Sequence, residues 1–584
     1  MLRRPSRASF ALIRSIVLGS AFVTTSVVVS PVLVGCGPTE NQPEYWLEKL
    51  EDPKYRPKAV KRLTQFLDDS LGKVQGDLKD EKVQVLLTTL VGPLTKVYVE
   101  HYGDLDTKTR VNLIKLLSDF RDERAVPALK KAFEEFAKRP RETKDEQDIK
   151  WAVRAYGDMK SKELAGPVLA AFEALKAHTQ LGGVTYKDYS KAMVAAPSES
   201  WEDALVTKLA AKVKHPSTGK NKSQKRDLIE PYRDELFWQV TAAQVLGALQ
   251  SKKAVEPLIK TILDPSKGDL ATTSLLALVK IGKPSIDRAA KIFDESDPLV
   301  SFAKKAIKKA TDAKEEPKGN PALASAAAII GMCGRSDGIA PILKALEGKL
   351  EDADKAVLAN ELPKMPATAE SKAAFKKTFE SLPLSASLRR TPALIVLAES
   401  AAKFYDSTMV EWMLERAKKT KGAGEEKLGL QQSLVTSALK IAKSNQWEAV
   451  TKAADKYKAG DLAKGIAPLM KSCGDKVACY LDAVEKTENQ SKKNQLSGIK
   501  AAYMIGVLGD SKARDSLIER LSSLENGAVA FVAAQSIDHL TPKSAPDVVK
   551  KLEERIAKNE KSADPGKLSK NSTLKQIAYR ISVR

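Results

Sequence analysis

The side chains best suited to covalent chemistry are four cysteines, and one of them stands in an unusual setting. Cys36 follows a small residue, Gly35, at the end of a mostly apolar stretch that begins at Ile16. Four arginines and no acidic residue precede that stretch. A secretory signal peptide has a basic start, an apolar run and a small residue just before its cleavage site. This pattern therefore predicts that residues 1–35 are removed. The four cysteines are Cys36, Cys333, Cys473 and Cys479, and the four arginines are Arg3, Arg4, Arg7 and Arg14.

The residues Leu33, Val34, Gly35 and Cys36 resemble the lipobox of bacterial lipoproteins. In that family a dedicated peptidase cuts before the cysteine, which then carries several acyl chains. The resemblance implies lipid attachment at Cys36 and stable tethering, because each buried CH₂ contributes about 0.8 kcal/mol. In enterobacteria an aspartate directly after the cysteine retains a lipoprotein in the inner membrane, and this chain has Gly37 there. The resemblance therefore implies an outer-membrane protein that faces the periplasm. Two alternatives stay open: a transmembrane anchor over residues 16–35 and an ordinary cleaved signal.

Cys473 and Cys479 are six residues apart, and the local structure decides what they can do. Within one helix, six residues rise about 9 Å, which is too far for a disulfide. Gly474 and Asp475 predict that a new helix starts between the cysteines, with Asp475 as its N-cap, and this geometry lets a bridge close. A disulfide is the expected state in the periplasm. A redox-active or metal-binding pair is the alternative, although the spacing and the lack of a histidine partner do not favour it.

The remaining cysteine and the other polar motifs predict no catalysis. Cys333 stands between apolar and small residues and is predicted to be a small buried side chain. Gly219-Lys220 lacks the upstream glycine of a phosphate-binding loop. Adjacent carboxylates such as Glu134-Glu135 lie in charged segments that offer nothing to raise a pKa. We therefore expect no enzyme, no cofactor and no metal site. The histidines, none of which forms a metal-binding motif, are His101, His178, His215 and His539.

Composition predicts a large helical body with a basic surface. Removal of residues 1–35 leaves 549 residues, too many for one core, and lowers the formal net charge from +22 by four arginines to +18. Aromatic residues make up only 6% of the chain. Nucleic acid is a common partner of such a surface, but the periplasmic location, the absence of a binding motif and the lack of aromatic residues among the basic ones argue against it. We expect a solvated lysine-rich surface, with attraction to anionic lipid or glycan as the alternative.

A two-helix unit recurs along the chain. An amphipathic segment runs into a short polar turn, and a second amphipathic segment follows that often has a proline in its first turn, where a missing N–H costs little. The clearest copies are Arg110–Phe133, Trp151–Leu169, Phe237–Ile259, Leu270–Ile286, Ala322–Leu346 and Ile499–Ile518, with looser copies at Leu434–Ala454 and Ala528–Leu552. The prolines of the first five are Pro127, Pro167, Pro257, Pro284 and Pro341.

These units resemble HEAT repeats, including relatives found in bilin lyases. The resemblance rests on the alanine-rich first helix, the aspartate-containing turn and the proline near the start of the second helix. It implies an all-α fold in which helix pairs stack into an α-solenoid, a superhelix of roughly a dozen units of about 40 residues. A non-repetitive helical bundle is the alternative. Nothing in the sequence supports bilin attachment itself.

Shifts in composition divide the chain into six segments. We expect a lipoprotein signal peptide (1–35), a lipidated tether (36–44), N-terminal HEAT-like repeats (45–180), a basic loop-like insert (181–236), central repeats (237–420), and C-terminal repeats with a cap (421–584). Inserts in solenoids tend to lie on one face and can carry binding.

The sequence as a whole predicts a membrane-tethered periplasmic scaffold that binds protein partners of the cell envelope and has no small-molecule substrate. The first alternative is a structural envelope protein whose basic surface binds anionic lipid or glycan. The second, less favoured, is an enzyme or enzyme subunit related to the bilin-lyase proteins.

Overall fold

The computed structural model describes residues 38–138, 146–176, 185–388, 391–486, 489, 491, 495–521, 523–524, 526–561 and 565–584. The backbone alone is described at 146, 147, 185 and 565–570. The lipobox-like residues Leu33, Val34, Gly35 and Cys36 lie outside the described residues, as does His178.

The described chain is almost entirely helical, with one two-residue strand pair. The first half contains α1 (Pro43–Glu48), α2 (Arg56–Lys73), α3 (Glu81–Glu100), α4 (Thr107–Phe120), α5 (Val126–Lys138), α6 (Glu146–Met159), α7 (Ala165–Ala174), α8 (Thr185–Ala195), α9 (Glu202–Ala210), α10 (Lys222–Asp227), α11 (Ile229–Ala248), α12 (Val255–Leu263), α13 (Ala271–Ile281), α14 (Lys283–Lys291) and α15 (Pro298–Thr311).

The second half contains α16 (Leu323–Cys333), α17 (Ile339–Leu346), α18 (Asp352–Glu361), α19 (Ala369–Ser381), β1 (Ser387–Leu388), β2 (Thr391–Pro392), α20 (Ala393–Ala401), α21 (Met409–Lys419), α22 (Gly424–Ile441), α23 (Trp447–Lys456), α24 (Gly460–Cys473), α25 (Val477–Glu485), α26 (Gln495–Leu508), α27 (Ser511–Arg520), α28 (Gly527–His539), α29 (Pro546–Glu560) and α30 (Pro565–Ser582). The two strands pair antiparallel. No helix among the described residues is both long enough and apolar enough to cross a membrane.

Each two-helix segment found in the sequence lies in a pair of successive helices. Arg110–Phe133, for example, lies in α4 and α5, where Asp106 caps α4 by accepting a hydrogen bond from the Thr109 N–H at 3.0 Å. The repeat prolines all lie within the first three residues of the second helix, where no intrahelical partner is lost. They are Pro127 of α5, Pro167 of α7, Pro257 of α12, Pro284 of α14 and Pro341 of α17.

Helices α1–α12 form an elongated region that we call the arm. The first helices of successive pairs pack side by side in the order α2, α4, α6, α8, α11, and the second helices α3, α5 and α7 pack along them. Apolar residues at helical spacing fill the space between the two rows, as Leu113, Leu117, Leu129 and Phe133 do in α4 and α5. In the arm each pair therefore touches pairs that are close in sequence.

The rest of the chain closes on itself, and we call this region the ring. Its first helices pack in the order α13, α16, α18, α20, α22, α26, α28, α30, and α30 then packs against α13 and α16. The arm joins the ring where α11 packs against α13. The sequence predicted stacked helix pairs but gave no sign that the C-terminal helix returns to the middle of the chain.

Two glycines make room for the returning helix. Gly282 follows α13 with a φ of +77°, and a side chain there would meet Val583 at 3.2 Å. Gly334 ends α16 with a φ of +63°, and a Cβ there would lie 1.9 Å from the Arg580 guanidinium. Both positions use a conformation that favours glycine, and both need the absence of a side chain for α30 to approach.

The basic insert predicted at 181–236 is not a loop. Its described part contains α8, α9 and α10 and the start of α11, and α8 and α9 bury Tyr189, Met193, Trp201 and Leu205. These helices are short and lie between polar segments, so local periodicity is weak and tertiary packing decides their structure. The boundary predicted at 236 falls inside α11, while the one at 420 falls between α21 and α22.

Candidate functional site

An open groove of about 820 Å³ runs along the arm between α2 and α4. Both helices belong to the first row, and each turns its solvated face toward the groove while its apolar face packs on α3 or α5. The side chains that line the groove from α2 are Lys58, Lys61, Thr64, Gln65 and Asp68, and those from α4 are Lys108, Asn112, Lys115 and Asp119. Arg154 of α6 closes one end.

Basic side chains outnumber acidic ones in this groove. Six cations line it, against three carboxylates, and all six are exposed. They are Lys58, Lys61, Lys108, Lys115, Arg121 and Arg154, and the carboxylates are Asp68, Asp106 and Asp119. Asp106 is engaged as the cap of α4, and the hydrogen bonds from Thr109 lower its pKa. The groove is therefore a positive surface that attracts anions.

A tryptophan ring lies beside the part of the groove that Lys115 and Arg154 line. Trp151 is half-buried on α6, and the Lys115 ammonium lies 5.3 Å from its ring centroid. The Arg154 guanidinium lies 5.7 Å from the same ring and 3.7 Å from Asp119. Cations over a tryptophan face are attracted by about 0.5–1 kcal/mol at exposed sites. The sequence indicated no mixing of aromatic and basic residues; the fold produces it because α4 and α6 lie side by side.

One carboxyl group in the groove, that of Asp119, has a raised pKa. Burial raises the pKa of Asp119, while the charges of Arg154 and Lys115 act in the opposite direction. The nearby Asp68 carboxylate, which lines the same groove, also raises the pKa of Asp119. Among the described residues no group of three histidine, cysteine or acidic side chains is placed to hold a metal.

The two cysteines predicted to pair lie at disulfide distance, with 2.01 Å between the sulfur atoms of Cys473 and Cys479. The expected local structure was wrong in one respect. Cys473 is the last residue of α24, and α25 begins at Val477, so Asp475 is not an N-cap. The Asp475 carboxylate instead accepts hydrogen bonds from the backbone N–H and the hydroxyl of Ser444, at 2.9 and 3.0 Å.

The third described cysteine is buried, as predicted. Cys333 ends α16 with no exposed surface, and burial raises its pKa to about 12. Such a thiol is unreactive, because the thiolate is the nucleophile. The histidines scatter: His101 lies near Glu51, His215 packs against Tyr232, and His539 stacks on Tyr405 in the ring.

The described fold and groove define the class of the molecule as an all-helical protein of packed helix pairs with a basic, open surface groove. A scan against models of known protein families finds no match, and a search of curated proteins finds none either.

Proposed function

We propose that this protein is a lipid-tethered periplasmic scaffold, without catalytic activity of its own, whose arm binds an acidic segment of a protein partner. In this proposal Cys36 carries the acyl chains, and the part of the predicted tether (36–44) that precedes α1 links them to the body. The helix pairs are HEAT-like units of an α-solenoid. The observation that carries the proposal is the open groove between α2 and α4, with its six exposed cations.

The repeated helix pairs support a scaffold because they expose a row of parallel first helices. A segment that lies across α2, α4 and α6 can contact several pairs at once, which is how helical repeat proteins use their extended surfaces. A partner helix or extended strand fits a groove of this kind.

The positive charge of the groove favours a partner segment that carries carboxylates. Carboxylates on the bound segment would pair with Lys61 and Lys115, and an apolar or aromatic side chain would pack on Trp151. Exposed charge pairs contribute more to the rate of association and to specificity than to raw affinity, so binding should weaken as salt rises.

The alternative is a structural envelope protein that binds anionic lipid or glycan. The observation in its favour is a second basic segment, residues 211–227, in which six cations are exposed and Asp227 is the acid. Those cations are Lys212, Lys214, Lys220, Lys222, Lys225 and Arg226. A role of this kind needs no groove, so binding should depend on total charge rather than on position.

Photo-crosslinking at single positions tests the proposal in living cells. A photoreactive residue at Asn112 in the groove should link the full-length tethered protein to a discrete protein partner. The same residue at Lys452, which is 75% exposed on α23, is the matched control and should not. Loss of the Asn112 product in a Cys36→Ala variant would show that tethering brings the two proteins together.

Charge reversal then separates the two functions. Lys61→Glu with Lys115→Glu should abolish the Asn112 product, while Lys452→Glu with Lys550→Glu removes the same charge elsewhere and should leave it unchanged. Equal loss with both pairs, or products that contain only lipid and glycan, would overturn the scaffold and favour the structural role.

A further inference from the structure

A second cavity, of about 550 Å³, lies inside the ring and is not part of the arm groove. It forms where the C-terminal ends of α16 and α28 meet the last three turns of α30 and the turns that follow α18 and α20. Its volume lies within the range of small-molecule sites, which is about 300–1,000 Å³.

The helix that closes the cavity is held by a buried ion cluster. Asp538 of α28 accepts from Arg580 Nη2 at 2.8 Å and from Arg584 Nη2 at 2.7 Å. The same guanidinium groups donate to main-chain carbonyls: Arg580 to Lys364, and Arg584 to Asp538 and Thr541. Each of the three side chains is at least 88% buried. We call these three residues the latch.

One basic side chain that lines the cavity has no ion-pair partner among the described residues. Lys364 pairs with Glu361 at 2.6 Å, and Asp538 serves the two arginines of the latch. The Lys403 ammonium, from the turn after α20, forms neither a hydrogen bond nor an ion pair within the described part of the chain. Burial lowers the pKa of Lys403 most, and the charges of Lys364 and Lys440 lower it further, while those of Glu361 and Glu399 act in the opposite direction without bonding to it. An anion placed beside Lys403 would relieve that repulsion.

The other wall of the cavity is apolar. Met332, Met365 and Ile577 line it, together with Phe531 of α28. Phe531 is 46% exposed, unusual for a phenylalanine in the middle of a helix, and its ring borders the cavity. Tyr405 and His539 also line the cavity and stack with 4.6 Å between ring centres. A basic group and apolar side chains thus line the same cavity.

We infer that the ring cavity binds a small amphipathic anion, with a carboxylate or phosphate head at Lys403 and an apolar body against Phe531 and the two methionines. The latch arginines add positive charge beside the head, while their hydrogen bonds remain with Asp538 and the main chain. This site is independent of the proposed protein-binding groove, because no residue lines both.

Isothermal titration of the purified full chain tests the inference on the ligand side. Dodecanoate and dodecyl phosphate, each below its micelle concentration, should bind with one site per chain. Dodecanol has the same body without charge and should bind at least about tenfold more weakly, as a lost charge-assisted contact implies. Acetate and inorganic phosphate have the head without the body and should show no binding. Equal affinity for dodecanoate and dodecanol would overturn the inference, as would equal affinity for the head alone. The ratio of dodecanoate to dodecyl phosphate affinity identifies the preferred head.

Two matched pairs of variants test it on the protein side. Lys403→Met should weaken dodecanoate binding by about tenfold or more. Lys267→Met removes a lysine between α12 and α13 whose pKa burial also lowers, but outside the cavity lining, and should leave affinity within twofold. Phe531→Ser should weaken binding, whereas Leu462→Ser, at a side chain that is 42% exposed on α24, should not. Equal effects of the two substitutions within either pair would contradict the proposed site. If a variant fails to fold, the titrations of the wild-type chain still test the inference.

Discussion

The arm and the ring are built from the same kind of helix pair, yet they present opposite kinds of surface. In the arm, successive pairs pack mainly on pairs near them in sequence, and α2 and α4 leave an open groove lined by exposed charge. In the ring, α30 returns to α13 and α16, and a partly open cavity forms beside a buried ion cluster. The difference teaches that the return of α30, rather than the repeat unit, decides which kind of surface a helix pair presents.

Breaking the latch gives the sharpest test of this comparison. Asp538→Ala leaves two buried guanidinium groups without their carboxylate, which costs about 3–5 kcal/mol. Hydrogen exchange should become faster in α28, α30 and the adjoining ends of α13 and α16, and remain unchanged in the arm.

The matched control is the buried pair of the arm, Arg110 and Asp148, whose carboxylate also accepts from the Tyr98 hydroxyl at 3.1 Å. Asp148→Ala should loosen α4 and α6 and leave the ring protected. If either variant loosens both regions equally, the arm and the ring are one cooperative unit and the comparison fails.

The glycine at the end of α16 offers a second test. Gly334→Ala adds a methyl group in a left-handed conformation and drives it into Arg580, for an expected loss of about 2–4 kcal/mol. Gly76 of the arm also has a positive φ, of +85°, but nothing lies within 4 Å of its missing Cβ. Gly76→Ala should therefore cost only the backbone strain, about 1 kcal/mol. Urea unfolding of both variants measures the difference, and equal losses would show that α30 does not depend on this contact.

The disulfide should stabilise the ring side alone. Replacing both Cys473 and Cys479 by serine should lower the free energy of unfolding by about 2 kcal/mol, as expected for a short closed loop. Reductant should shift the urea midpoint of the native chain and leave that of the double variant where it is. A Cys333→Ser variant that keeps its sensitivity to reductant is the control. An insensitive native chain would mean that the pair is not bonded.

A buried lysine gives the ring its own pH dependence. Lys500 of α26 donates to the Ala442 carbonyl at 2.5 Å, and burial lowers its pKa to about 7. The unfolded chain binds this proton up to about pH 10.4, so between pH 7 and 10 the unfolded state holds more protons. The free energy of unfolding should therefore rise with pH by up to about 1.4 kcal/mol per unit. Lys500→Met should reduce that slope near pH 7–9, where the lowered pKa values of Lys403 and Lys440 leave a smaller remainder. An unchanged slope would assign it to other groups.

The helix pairs could be predicted from the sequence because their signals are local. The spacing of Leu113, Leu117 and Phe120 and the proline at 127 together specify two helices and the turn between them. Weak local signals misled in two places. Residues 185–210 form helices whose few apolar positions, such as Trp201, are decided by tertiary packing, and Asp475 is drawn away from α25 by Ser444.

The arm groove and the ring cavity could not be predicted, for a different physical reason. Asp538, Arg580 and Lys403 read as ordinary surface charges, because nothing near them in sequence shows that they meet. The groove needed the packing of α2 on α4 to collect its lysines. Long-range contacts of this kind leave no periodic trace in a single chain.

Ring closure also affects the order in which parts of the chain can fold. Arg584 donates to the carbonyl of Gly334, 250 residues earlier in the chain. Helix pairs form from neighbouring segments and should fold as they emerge, whereas contacts of such long range form slowly. At about 5–20 residues per second, roughly 10–50 s separate the synthesis of α16 from that of α30. During that interval the faces of α13 and α16 that α30 later covers are exposed to solvent, so this part of the ring is the last to reach its final packing.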